Sequence, residues 1–115
     1  LFRSGAEASG SGVVQGDPVL LRRLTRNLLE NANKYGVTPI RTSVDGGTLV
    51  VEDAGPGPAP AERERVWEPF YRPAGHRESE GGVGLGLALV REIARLHGGT
   101  AELGEGSRFV VKIPS

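Results

Sequence analysis

Glycine gathers in this chain where periodicity breaks. Pairs and strings at Gly55/Gly57, Gly81/Gly82/Gly84/Gly86, Gly98/Gly99 and Gly104/Gly106 each stand at the edge of a segment with helical or alternating apolar spacing. That placement punctuates a fold of short elements and marks places where something must approach bare backbone. It is not a low-complexity tract, and no repeat of constant period runs through it. The 115 residues hold one domain. Lys+Arg 14 against Asp+Glu 14 leaves no overall field to recruit nucleic acid, so any recognition of a polyanion is local. Cysteine is absent and histidine occurs twice, which excludes a disulfide framework and a Cys-based zinc site. No apolar run approaches the roughly 20 residues of a membrane helix, and the expectation is a soluble, cytoplasmic piece without membrane contact of its own. Lacking methionine, it is expected to be a part of something longer. Residues 1–12, rich in Gly, Ser and Ala, read as a flexible lead-in, and residues 13–115 as the domain.

Asp17-Pro18 predicts a helix start, a carboxylate cap followed by a proline already set for the first helical position. The helix should run to about Tyr35 and stop at Gly36. At about 100° per residue, Leu21, Leu24, Leu28 and Ala32 share an arc, with Arg22, Arg26, Glu30 and Asn33 on the other side. Asn27, Asn31 and Lys34 form a third stripe on the border. Ile40–Val44 and Thr48–Glu52 across Asp45-Gly46-Gly47 predict a hairpin. The prolines of Ala54 to Pro58 predict a loop, and Pro60 to Glu68 a short charged helix with Val66 and Trp67 inward. The polar stretch from Ala74 to Gly81 predicts a mobile loop. A second amphipathic helix is expected from Gly84 to Leu96, with Leu85, Leu89, Val90, Ile93 and Leu96 as its apolar set, ended by Gly98-Gly99. Two strands, Thr100–Leu103 and Arg108–Ile113, close the chain. The sum is an α/β sandwich.

Three features carry chemistry. Gly82-Val83-Gly84-Leu85-Gly86-Leu87 opens a helix, where unpaired N–H groups and about half a positive charge favour a phosphate, although neither GxxxxGK[ST] nor GxGxxG is present. Two asparagines within a helix want a polar partner, because the residue prefers caps. An amide oxygen suits Mg²⁺, which leaves its other positions to water and phosphate oxygens, and Lys34 one turn on can neutralise phosphate charge. Asp53, at a strand end before Gly55 and Gly57, can accept from an exocyclic amine while the glycines admit a flat ring.

Taken in order, Asn27-Leu28-Leu29-Glu30-Asn31-Ala32-Asn33-Lys34-Tyr35, Asp53-Ala54-Gly55-Pro56-Gly57, Glu68-Pro69-Phe70-Tyr71-Arg72, Gly82-Val83-Gly84-Leu85-Gly86-Leu87 and Leu96-His97-Gly98-Gly99 resemble the N box, first glycine box, F box and second glycine box of the catalytic ATP-binding domain of sensor histidine kinases, with that family's LHGG string. Gly106-Ser107-Arg108-Phe109 is similar to its last glycine motif. The resemblance spans roughly Val14 to Pro114. It implies a Bergerat-type α/β sandwich, a mixed sheet covered on one face by about three helices, with ATP between the first long helix and a lid. Carried over by residue, Asn31 is similar to the magnesium ligand, Asn27 and Lys34 to phosphate contacts, and Arg72 to a γ-phosphate contact. Tyr35 is similar to a residue near the nucleotide, and Asp53 to the acceptor of the adenine amine, with Gly55 and Gly57 beside the base. Gly82, Gly84 and Gly86, with Leu87 following, resemble the phosphate cradle. Phe70 resembles a lid-packing aromatic, and Ser107 stands where a threonine is frequent. Pro58 replaces a frequent aliphatic residue, and Gly36 a usual hydroxyl residue.

The function implied is donation of the γ-phosphate of Mg·ATP to a histidine on a separate dimerisation domain, of the same full-length chain or of a partner protein, with a response regulator downstream in a two-component system. Neither His76 nor His97 lies in a phosphoacceptor motif, so the isolated domain is not expected to phosphorylate itself. A full-length protein anchored in the cell membrane is compatible with this. Two alternatives stand beside it: an ATP-hydrolysing clamp of the same superfamily, which needs a glutamate where this chain has Asn27, and a nucleotide-binding regulatory module without transfer.

Overall fold

The computed structural model describes residues 6–11, 14–71 and 85–114. A five-stranded sheet in the order β1-β2-β3-β5-β4 forms one layer, made of β1 (Ala6–Ser11), β2 (Ile40–Asp45), β3 (Thr48–Glu52), β4 (Thr100–Leu103) and β5 (Arg108–Lys112). β1 runs parallel to β2 and every other pairing is antiparallel, so the sheet is mixed as expected. The helices α1 (Pro18–Tyr35) and α2 (Gly86–Leu96) pack on it.

Local chemistry accounts for the long helix. Asp17 accepts from the N–H groups of Val19 at 2.9 Å and Leu20 at 3.2 Å, which satisfies donors that the first turn leaves open. Pro18 occupies a position whose missing N–H costs nothing. At the other end Gly36 returns to extended backbone and its N–H closes on Ala32 O. α2 ends at His97, whose Nδ1 lies 2.8 Å from Ile93 O while Nε2 accepts the Asp17 N–H at 3.0 Å. Nδ1 therefore carries the proton, and one side chain joins the end of α2 to the start of α1. That fits the expectation of a helix-end residue better than that of a catalyst.

The core lies between the helices and one sheet face. Leu24, Leu28, Leu29 and Ala32 of α1 and Leu87, Val90, Ile93 and Ala94 of α2 are buried against Ile40, Val51, Ala101, Phe109, Val111 and Ile113. Register builds this face: Thr42 pairs with Val51, Val51 with Phe109, and Val111 with Ala101, so inward residues line up across strands with period two. Trp67 closes one edge, its ring 5.7 Å from that of Phe109 at 82°, and Arg91 lies 4.7 Å over the Trp67 ring.

Four expectations need correction. Ala6–Ser11, read as part of a flexible lead-in, is the edge strand β1. Its pairing with β2 uses main-chain groups, so a sequence with little to bury still forms a strand. Pro60 to Glu68 is not a continuous helix but two short 3-10 turns, Pro60–Glu62 and Arg65–Trp67, although Val66 and Trp67 are buried as expected. α2 starts at Gly86, and its buried face is rotated: Leu85 and Leu96 are exposed while Leu87 and Ala94 are buried. On α1, Leu29 is buried and Leu21 only half-buried. The expected mobile loop from Ala74 to Gly81 lies outside the described residues.

Thr42 is buried in the core row of β2, and its Oγ1 has no hydrogen-bond partner among the described residues. Such a hydroxyl forfeits its bonds to water and recovers nothing. Thr42→Val keeps the β-branched shape and should raise unfolding free energy by about 1 kcal/mol in chemical or thermal denaturation.

Candidate nucleotide-binding site

One cavity of about 600 Å³ opens beside α1. Its size is that of a small-molecule site. α1 supplies Arg23, Asn27, Glu30, Asn31, Lys34 and Tyr35 to the wall. Arg23, Asn27, Asn31 and Lys34 follow one another at spacings of four, four and three, which stack side chains along one helix stripe. The amide Nδ2 of Asn27 donates to Gly86 O at 3.4 Å, holding the start of α2 against the stripe. Among the described residues, a Cβ on Gly86 would meet only the Asn27 Cβ, at 4.0 Å. Glycine there relieves no clash with them; it leaves backbone open to the cavity.

The opposite wall is built around Asp53, which follows the last residue of β3. Its Oδ1 accepts from Gly55 N at 2.7 Å and Val37 N at 3.2 Å, and its Oδ2 accepts from the Ser107 hydroxyl. The Asp53 N–H in turn donates to Ser107 O at 3.2 Å. A carboxylate offers about four acceptor sites, so among the described residues three are used and one remains for a donor arriving from the cavity. Gly57 has φ +78°, and a Cβ on it would stand 2.0 Å from Gly106 O. The loop after Asp53 is thus pressed backbone to backbone against the β4–β5 turn, an approach open only to glycine. Pro56 and Pro58 flank it and remove N–H groups that would otherwise seek partners.

Leu87, Leu89, Val66 and Phe109 make the wall apolar between these polar ends, and Tyr71 joins them. Burial, then the nearby Glu62 carboxylate, push the Tyr71 phenol above its ordinary range, with Arg65 opposing. The hydroxyl stays a hydrogen-bond donor at neutral pH.

Ten residues singled out in the sequence therefore line one cavity: Asn27, Asn31, Lys34, Tyr35, Asp53, Gly55, Gly57, Gly86, Leu87 and Ser107. Phe70 does not line it. It has φ 67° and is 69% exposed, and its neighbour Tyr71 faces the cavity instead. Arg72, Gly82 and Gly84 lie outside the described residues. Glu30, placed on the far side of α1 by periodicity, reaches the cavity, as do Arg23, Gly36, Val37 and Leu89, none of which had been singled out for the site. Arg23 could have been found by extending the stripe one turn back from Asn27.

A helix stripe of amides facing a strand-end carboxylate across a glycine loop, on a mixed sheet with helices on one face, defines an ATP-binding α/β sandwich of the Bergerat type. The chain belongs to the family of histidine kinase-, DNA gyrase B- and HSP90-like ATPases, whose model matches residues 16–115. It is similar to the sensor protein RstB of Escherichia coli strain K12, 45% identical over 108 residues that cover 85% of this chain and 25% of that protein. It is also similar to CutS of Streptomyces coelicolor, 39% identical and covering 95% of this chain and 30% of that protein. The chain thus spans between a quarter and a third of the curated relatives named here. Among solved structures, a mycobacterial sensor histidine kinase, MprB, superposes with TM-score 0.77 at 34% identity, covering 97% of this chain and 85% of that one. The resemblance drawn from the ordered boxes is borne out, as is the sandwich fold.

Proposed function

We propose that this domain binds Mg·ATP and presents its γ-phosphate to a histidine on a separate dimerisation domain, within a two-component system that passes the phosphoryl group to a response regulator. The observation that carries the reading is the single cavity holding both the Asn27/Asn31/Lys34 stripe and the Asp53 carboxylate with its spare acceptor site. Asp53 reads the amine of the base, Gly55 and Gly57 let the ring lie on backbone, and Leu87, Leu89 and Phe109 enclose it away from water.

At the polar end, Asn31 supplies a neutral oxygen to the cation, while Asn27 and Lys34 orient the phosphates. No group of three His, Cys, Asp or Glu side chains able to hold a metal occurs among the described residues. A lone amide oxygen fits a cation whose other ligands are phosphate oxygens and water. When bound, Mg²⁺ supplies charge neutralisation on the phosphate oxygens. Transfer needs little covalent chemistry from this chain: the acceptor imidazole nitrogen attacks phosphorus, the bond to the bridging oxygen breaks, ADP departs, and the imidazole proton goes to a base on the acceptor domain. Asn27 holds a position where an amide cannot take a proton from water, so hydrolysis should be slow. No helix among the described residues is long and apolar enough to cross a membrane.

The test is incubation with γ-labelled ATP, with and without a histidine-bearing dimerisation domain from a related kinase. Acid-labile label on the histidine domain, and none on this chain alone, is the expected result. Label released only as free phosphate would replace the reading with a hydrolytic clamp, and absence of nucleotide turnover with a binding module.

A further inference from the structure

Arg63 is a half-buried cation whose partners among the described residues are all main-chain carbonyls. Its Nη1 donates to Gly106 O at 3.0 Å and to Pro58 O at 3.5 Å, and its Nη2 donates to Gly104 O. The ion pairs around it use Arg65 with Glu62 and Glu68, and Arg91 with Glu64. The guanidinium fork thus bridges two segments that the Asp53 site needs in register: the loop that ends at Pro58 and the β4–β5 turn. Gly106 O, its Nη1 acceptor, belongs to the residue before Ser107, which donates its hydroxyl to Asp53. Gly106 O is also the atom against which Gly57 is pressed. A planar fork can hold carbonyls of two segments at once; an ammonium on a flexible stem holds a point.

We infer that Arg63 is a positioning residue for base recognition: by clamping the Pro58 and Gly104/Gly106 carbonyls together it fixes Ser107, and through Ser107 the free acceptor site on Asp53. The inference rests on the reading of Asp53 as the acceptor of the base amine. Without the fork, the β4–β5 turn loses its tie to the Gly55–Pro58 loop, the Ser107 hydroxyl leaves Oδ2, and the carboxylate no longer aims at the amine. Contacts to the phosphates on α1 are not touched. The consequence is selective, a loss of preference for an amino-bearing purine rather than a general loss of binding.

The test compares the full chain with Arg63→Met, Arg63→Lys and Asp53→Asn. Each is titrated calorimetrically with ADP and with purine-riboside diphosphate, which lacks the exocyclic amine, and melted by circular dichroism. Arg63→Met should weaken ADP binding about tenfold and the amine-free nucleotide less than about twofold, with Arg63→Lys in between. Equal weakening of both nucleotides, or a lowered melting temperature with the ratio between them intact, would make Arg63 a purely structural tie and overturn the inference. So would unchanged affinity for both. Asp53→Asn separates the two levels. If it abolishes the preference and Arg63→Met does not, only the inference about Arg63 falls; if Asp53→Asn preserves the preference, the base-recognition reading falls with it.

Discussion

Asp53→Ala should remove measurable ATP binding, with affinity reduced by at least about 100-fold, or roughly 2.7 kcal/mol. The carboxylate does two jobs, and the size of the effect comes from losing both. It is the acceptor facing the cavity, and it also takes the Val37 and Gly55 N–H groups and the Ser107 hydroxyl. Truncation leaves those donors without their acceptor, at a cost of about 1–3 kcal/mol for each that cannot find water. Asp53→Asn divides the two jobs. The amide oxygen can still accept from Val37 and Gly55, and the Ser107 hydroxyl can rotate to accept from the new NH₂. That NH₂ then faces the amine of the base, donor against donor. Stability should change by less than about 1 kcal/mol while affinity still falls steeply, because a polar group built to pair is left opposing its partner. Calorimetric titration with ADP beside a thermal melt checks this. An Asp53→Asn variant that binds within about threefold of the parent would remove Asp53 from base recognition.

The sequence showed the helices, the central hairpin and most of the polar site because these write themselves locally. Asp17-Pro18 caps α1 wherever it lies, Gly46 and Gly47 turn a hairpin, and Asn27, Asn31 and Lys34 share a stripe by helical spacing alone. What could not be read depends on partners distant in the chain. β1 is held by main-chain pairing to β2, which has no side-chain signature in Ala, Glu, Ser and Gly. The rotation of α2 follows from its seat against α1 and the sheet, which turns Leu87 and Ala94 inward and sets Leu89 on the cavity wall; several apolar faces of that helix were equally plausible from periodicity. Pro60 and a run of charges suggested helix, but the chain forms two short turns that bury Val66 and Trp67, with Arg91 over the Trp67 ring. Arg63 was invisible for a related reason: its acceptors are backbone carbonyls, two of them on glycines some forty residues away, and no pattern of residue types announces a carbonyl.

Asn31→Ala is the second large effect expected, and its sign on stability differs from its sign on function. Asparagine within a helix is disfavoured relative to alanine by up to about 0.7 kcal/mol, and Asn31 is only half-buried on the cavity border. The substitution should leave α1 as stable as before or slightly more so. A residue kept at such a place for packing would show the reverse. If Asn31 holds the cation as proposed, phosphoryl transfer to a histidine domain should nevertheless fall by about two orders of magnitude, or roughly 2.7 kcal/mol of barrier. The diagnostic measurement is nucleotide affinity across a magnesium titration. The parent should bind ATP more tightly as Mg²⁺ rises, and Asn31→Ala should lose most of that rise while keeping its metal-free affinity. Lys34→Met should do the opposite, weakening binding with and without the cation, since an ammonium attracts phosphate oxygens whether or not the metal is present. If Asn31→Ala keeps the full response to magnesium, the cation is held elsewhere, and the stripe on α1 is a phosphate surface only.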